Sequence, residues 1–188
     1  MTMYHVALYA HILAVLGLFV AIGLEWTSMV RMRRACTVEQ FREWASLHTT
    51  LEKVFPLTAV VILVAGLYMV GDVWGWGAAW INLSLAGLVA MGVLGPLING
   101  RRLRAIQAAA EAAPAGPVPA ALTRQIQDPI LWMSVKILAA QALGVVYLMA
   151  AKPEAGESVA ALVVAGLVGW AWGNPAVRER WSAARQGA

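Results

Sequence analysis

"AIGLEWTSMVRMRR", Ala21–Arg34, ends a long apolar run with a carboxylate, Glu25, and an arginine cluster begins six residues later. The run before it, Met3–Leu24, is long enough to cross a bilayer, because ~20 apolar residues cover ~30 Å of hydrocarbon. Arg31, Arg33 and Arg34 then mark the side of the membrane that stays cytoplasmic. No basic segment precedes residue 3 and no small-x-small cleavage site precedes Glu25, so the run reads as a retained helix and not a removed signal peptide.

Working outward, the same pattern recurs. Further apolar blocks are Val54–Val70, Trp76–Ile98, Pro129–Ala151 and Val159–Gly173. With their flanks, the expected spans are approximately residues 3–30, 54–71, 76–99, 129–151 and 158–173. The 188-residue chain is 61% hydrophobic and 13% charged, about half the ~25% charge of a soluble domain. The expected fold is therefore all-α: a polytopic membrane helical bundle of five transmembrane helices, forming one integral membrane domain over residues 1–188. No room is left for a separate soluble domain. The lone Cys36 cannot form an intrachain disulfide.

The positions of the charges set the orientation. Of 14 Lys and Arg, five (Arg31, Arg33, Arg34, Arg42, Lys53) lie between spans one and two. Arg101, Arg102, Arg104 and Arg124 lie between spans three and four, and Arg178, Arg180 and Arg185 follow span five. The opposite connections hold only Lys152. The positive-inside rule then predicts N-terminus out and C-terminus in. A net charge of +4 explained by topology gives no support to a nucleic-acid partner; the partner implied is the lipid bilayer.

Between the spans, Thr37 and Gln40 stand at capping-box spacing. The apolar residues Val38, Phe41, Trp44, Ala45 and Leu51 predict a cytoplasmic interfacial helix over 37–53, with Pro56 marking entry into span two. Arg101–Ala113 extends span three, "PAGPVPAAL" (Pro114–Leu122) is a linker, and Asp128-Pro129 opens span four. "GWAWG" (Gly169–Gly173) has the spacing of ordinary close helix packing.

Polar residues inside the spans carry the functional signal. Glu25 lies roughly 9 Å and Lys136 roughly 10 Å from the cytoplasmic side, counted along their helices. Equal depth and opposite charge point to an ion pair that would lock helix one against helix four; the alternative is that each charge snorkels separately to the cytoplasmic surface. Tyr4, Ala7, His11, Ala14, Leu18, Ala21, Glu25 and Ser28 share one face of helix one, which is predicted to face inward. On helix four, Lys136, Ala140, Leu143 and Tyr147 are predicted to share another.

His11 has two readings. It makes an inter-helix hydrogen bond, to Asn82, Gln141 or Tyr147, or it serves haem, copper or proton relay. The candidate haem set is His11, Lys136 and Tyr147. The candidate copper set is His5, His11, Met69 and Met149, all toward the outer side. His48 belongs to the cytoplasmic side and cannot clamp a haem with His11 within one chain.

"YAHILAVLGLFVAIG", "FPLTAVVILVAGLYM" and "WMSVKILAAQALGVVYLMAAKP" resemble helices one, two and a later helix of the DUF2269 family of bacterial integral membrane proteins. The resemblance covers spans one to four. It implies a bacterial inner-membrane bundle near the CopD-like copper-resistance and HemJ-like haem-associated proteins. The HemJ-like pairing of a helix-one His with a later Lys maps onto His11 and Lys136. It implies haem b or copper as cofactor for the second and third functional readings. The first reading is non-enzymatic: an accessory subunit of a larger membrane complex or homo-oligomer, or a small-solute-handling bundle. The second is a haem-binding membrane oxidoreductase with His11 as axial ligand. The third is passage of copper or another ion.

Overall fold

All five apolar blocks become helix, and the breaks between them fall at Pro, Gly or polar clusters. The structure is a computed structural model and describes residues 2–174. Helices α1 (Met3–Arg34), α2 (Val38–Met69), α3 (Ala79–Leu94), α4 (Arg101–Ala112), α5 (Ala120–Ile126), α6 (Pro129–Ala151) and α7 (Ala155–Gly173) follow one another. Two π-helical turns, Val70–Trp74 and Gly95–Gly100, follow α2 and α3. The second contains Pro96, whose missing N–H disfavours a regular α-turn. Five helical stretches are long and apolar enough to cross a membrane: Met3–Arg34, Val38–Trp74, Ala79–Ala112, Ala120–Ala151 and Ala155–Gly173. Arg178, Arg180 and Arg185, part of the charge pattern, lie outside the described residues.

The chain forms two compact bodies. The first holds residues 1–78 and 96–128. Its frame is the antiparallel hairpin of α1 and α2, whose register is visible at three heights. Ser28 Oγ donates to Trp44 O at 2.7 Å. A Cβ on Gly17 would lie 3.3 Å from Thr58 Cγ2. His11 meets Ile62 O at 3.0 Å. The α1 stripe read from the sequence is the face turned to protein: His11, Ala14, Ala21 and Ser28 are buried, and none of its eight members is fully exposed.

One expectation is corrected here. Residues 37–53 are not a separate interfacial helix; Val38–Met69 is one helix of 32 residues running through Pro56. Its start is capped, with Gln40 N donating to Thr37 Oγ1 and Cys36 N donating to Gln40 Oε1. Pro56 is tolerated where the helix passes from polar to apolar sequence. Thr58 Oγ1, just past the proline, donates back to the carbonyls of Val54 (3.0 Å) and Phe55 (2.9 Å). Helix α1 has 32 residues, so it is about 48 Å long. That is about 18 Å more than the hydrocarbon thickness.

On those surplus ends sits a cluster of buried apolar residues. Met29, Met32, Val38, Phe41, Ala45 and Leu51 of the hairpin are buried with Leu103, Ile106 and Ala110 of α4 and Leu122 and Ile126 of α5. Val38 and Phe41 are 0% exposed. The linker is pinned to the hairpin tip: Val38 N donates to Gly116 O (2.8 Å) and Val118 N donates to Cys36 O (3.3 Å). Gly116 has φ +128°, open only to glycine at low cost. This core is not a separate soluble domain; it is built on helices that continue into the apolar spans.

The second body holds residues 79–95 and 129 onward. Here α6 and α7 form the hairpin and α3 packs on both. The turn closes through Lys152 at φ +51° and Ser158 Oγ donating to Pro153 O at 3.1 Å. The two helices touch at glycines. A Cβ on Gly169 would lie 2.6 Å from Ile137 Cα, and one on Gly173 would lie 3.1 Å from Met133 Cα. "GWAWG" is thus an intrachain packing element.

The predicted α6 face is also corrected. Lys136 and Ala140 are buried, but Leu143 and Tyr147 are 61% and 53% exposed. Burial follows the i+4 row Lys136, Ala140, Gly144, Leu148 instead. Small residues in that row admit α7: a Cβ on Gly144 would meet Ala165 Cβ at 3.0 Å. Ridges formed by i+4 rows are the usual surface by which two helices mesh.

Candidate functional site

Four polar side chains within the apolar spans share one pattern: His11, Ser28, Lys136 and Gln141 each donate to a backbone carbonyl of the facing helix, whereas Ser84 Oγ is buried without a hydrogen-bond partner among the described residues. His11 sits on α1 with its ring over Gly66 of α2, where a Cβ would touch ring Cε1 at 3.4 Å. Its Nδ1 is the atom that meets Ile62 O, so Nδ1 carries the proton and Nε2 is left as the basic nitrogen. The sequence reading placed His11's partner among the side chains Asn82, Gln141 and Tyr147. The partner is instead a main-chain carbonyl, which no residue pattern signals.

Lys136 behaves alike. It is 4% exposed, and its Nζ donates to Trp172 O at 3.0 Å. Trp172 is in the last turn of α7, where carbonyls have no partner within the helix and a cation is favoured by the helix dipole. The ammonium also lies 5.6 Å from the Trp172 ring centroid and 5.9 Å from that of Trp132, within cation–π range. Gln141 Nε2 donates to Leu162 O at 3.0 Å. Helix pairs are thus tied by side chain to backbone, which satisfies polar groups that lipid cannot.

Glu25 lies half-buried on the α1 stripe, with no hydrogen bond or ion pair among the described residues. The register gives its height. Glu25 is three residues before Ser28, level with Leu47, three residues after Trp44. At that height α2 is still polar, with Ser46, His48, Thr49 and Thr50. Counting along α1 alone put Glu25 inside the hydrocarbon; measured against its neighbour it stands beside the polar half of α2. Glu25 belongs to the first body and Lys136 to the second.

The cofactor sets divide in the same way. His11 is in the first body; Lys136 and Tyr147 are in the second, with Tyr147 exposed. Of the copper set, His5 is exposed and takes a contact from Thr2 Oγ1 within its own turn. Met69 is buried in the first body, and Met149 is on the open side of α6 in the second. Among the described residues no three His, Cys, Asp or Glu are grouped to hold a metal. The fixed tautomer of His11 suits a ligand histidine, but neither body by itself gathers the rest of either set.

Sequence reasoning missed a polar network at the base of the first body. Arg42 closes the C-terminus of α4: Nε donates to Ala110 O (2.7 Å), and Nη2 donates to Glu111 O (3.2 Å) and to Ala113 O. Arg104 Nη1 donates to Glu52 Oε1 (2.9 Å), and Gln107 joins Thr49 to Glu111. Arg102 Nε holds Asp128 Oδ2 at 2.8 Å just before α6 begins. His48 is buried beside this network. In the sequence these arginines read only as topology signals; nothing in their spacing announces partners 26 to 71 residues away.

No family model, no curated protein and no solved structure matches the chain.

Proposed function

We propose that this protein is a non-enzymatic multi-pass subunit of a larger membrane complex, set in a bacterial inner membrane with its N-terminus outside and its C-terminus in the cytoplasm. The observation that carries the reading is the use of the polar side chains in the spans. His11, Ser28, Lys136 and Gln141 each bond a carbonyl of the neighbouring helix. They serve as helix-to-helix fasteners and do not converge on a reacting centre within either body. Large apolar faces stay uncovered on all five apolar stretches, available to lipid and to partner helices. The orientation rests on the charge pattern. The likeness to DUF2269 is part of the same reading; His11 and Gly66, both inside its quoted stretches, are the two residues in contact.

The Glu25–Lys136 ion pair belongs to this proposal. Its support is that Glu25 has no hydrogen bond or ion pair among the described residues and that Lys136 carries the opposite charge within a span. Purification in mild detergent tests the subunit reading. A stoichiometric partner that survives size exclusion is expected, and a chain that elutes alone or only as a homo-oligomer contradicts it. The haem reading is kept as a second one because the His11 tautomer leaves Nε2 basic, and colour separates the two.

A further inference from the structure

In the first body one ionisable side chain takes a core position without a hydrogen bond. His48 continues the buried row of α2, Val38, Phe41, Ala45, His48, Leu51. It is 6% exposed, and both ring nitrogens are buried without a hydrogen-bond partner among the described residues. Buried polar atoms are nearly always satisfied, so an orphaned imidazole marks something the fold retains at a cost. Its surroundings are specific. Nε2 is 3.4 Å from Glu52 Oε1, close enough for charge attraction yet outside hydrogen-bond geometry. The same Oε1 is held by Arg104 of α4 at 2.9 Å. The backbone of Gly100, at the head of α4, is the other polar neighbour. On α1, Glu25 is the ionisable residue at this height; on α5 it is Arg124, which is exposed.

We propose that His48 is an acid-triggered release for α4: protonation of the imidazole draws the Glu52 carboxylate off Arg104 and frees α4 from α2. A neutral ring packs in the apolar row, while an imidazolium requires the Glu52 oxygen and water. An imidazolium at Nε2 competes with Arg104 for the same Glu52 Oε1, and two cations on one oxygen repel each other. When His48 takes it, the ion pair between α2 and α4 is lost, and hydration of the charged ring opens the contact.

His48 lies in residues 38–53, outside the apolar segment of α2. Burial, aided by Arg104, holds its pKa below the ordinary histidine value against the opposing pull of Glu52. The unfolded or opened state therefore binds the proton more readily. The neutral-ring packing is fully present above about pH 6.5 and is lost as pH falls from there through the depressed value.

The test is hydrogen exchange of the α4 amides in the full chain in detergent, at pH 7.5 and 5.5, corrected for intrinsic rates. The expected result is severalfold faster α4 exchange at pH 5.5 than at pH 7.5, with α6 and α7 unchanged. His48→Gln, which cannot charge, is expected to abolish the difference. Arg104→Gln alters an exposed side chain and keeps the fold. It removes the ion pair that release breaks, so α4 exchange at pH 7.5 is expected to rise toward the wild-type value at pH 5.5. Unchanged exchange in the wild type, a pH difference that survives His48→Gln, or α4 exchange at pH 7.5 unmoved by Arg104→Gln overturns the proposal.

Discussion

At the scale of single residues, the account rests on side chains that look functional in sequence and act as helix ties. Lys136 is the clearest. Replacing it with Met keeps the length and removes the bond to Trp172 O and the charge at the end of α7. We expect a loss of about 1 kcal/mol, the usual size of an interhelical tie in a membrane, read from the detergent-denaturation midpoint. The proposed partner is examined by the cycle Glu25→Gln, Lys136→Met and both together. The pair predicts a coupling above about 0.5 kcal/mol, and strict additivity contradicts it. Arg42 makes the opposite kind of point. It was legible only as a basic-side marker, yet it bonds three carbonyls at the end of α4. Hydrogen bonds to charged groups are worth about 1.5–3 kcal/mol, so Arg42→Ala is expected to fray α4 and speed its exchange at every pH.

At the scale of elements, the sequence was most informative where one physical constraint acted alone. The apolar blocks had to be helix, because only helices and closed barrels satisfy their backbone in lipid. The α1 stripe was readable because small residues and His alternate at helical spacing over seven turns. The α6 stripe misled because its angular period fits two rows equally well, and the choice between Leu143 and Gly144 is made by α7, not by α6. Pro56 misled because proline usually ends helices, while here α2 continues through it from Val38 to Met69. Gly169 is the residue on which the α6–α7 contact depends. Its missing Cβ would overlap Ile137 Cα at 2.6 Å and crowd Lys136 O at 2.9 Å. Gly169→Leu is therefore expected to cost about 1–3 kcal/mol or more and to separate the hairpin. Gly66→Ala, whose new methyl only touches the His11 ring, is expected to be mild. Equal effects of the two substitutions would contradict the packing described.

At the scale of the whole molecule, five helical stretches long and apolar enough to cross a membrane are joined alternately by basic connections and by connections whose only Lys or Arg is Lys152. The chain supplies its own probe. Cys36 is the single cysteine and is exposed, at the tip of the α1–α2 hairpin. A membrane-impermeant maleimide is expected to label it in inverted vesicles and not in intact spheroplasts; labelling from the outside reverses the topology. Function was less legible than fold, for a physical reason. The positions of His11, Glu25 and Lys136 could be read from the chain, but the groups they meet are main-chain carbonyls and residues of distant helices, which depend on register.

The central proposal is that His11 serves as a tie between α1 and α2 through its bond to Ile62 O. The most direct measurement is a visible spectrum, oxidised and reduced, of the wild type and of His11→Ala, both purified in mild detergent. The account predicts two colourless preparations, with the variant folded and about 1 kcal/mol less stable through loss of the bond to Ile62 O. A sharp haem band in the wild type that His11→Ala removes would contradict it and make His11 a ligand.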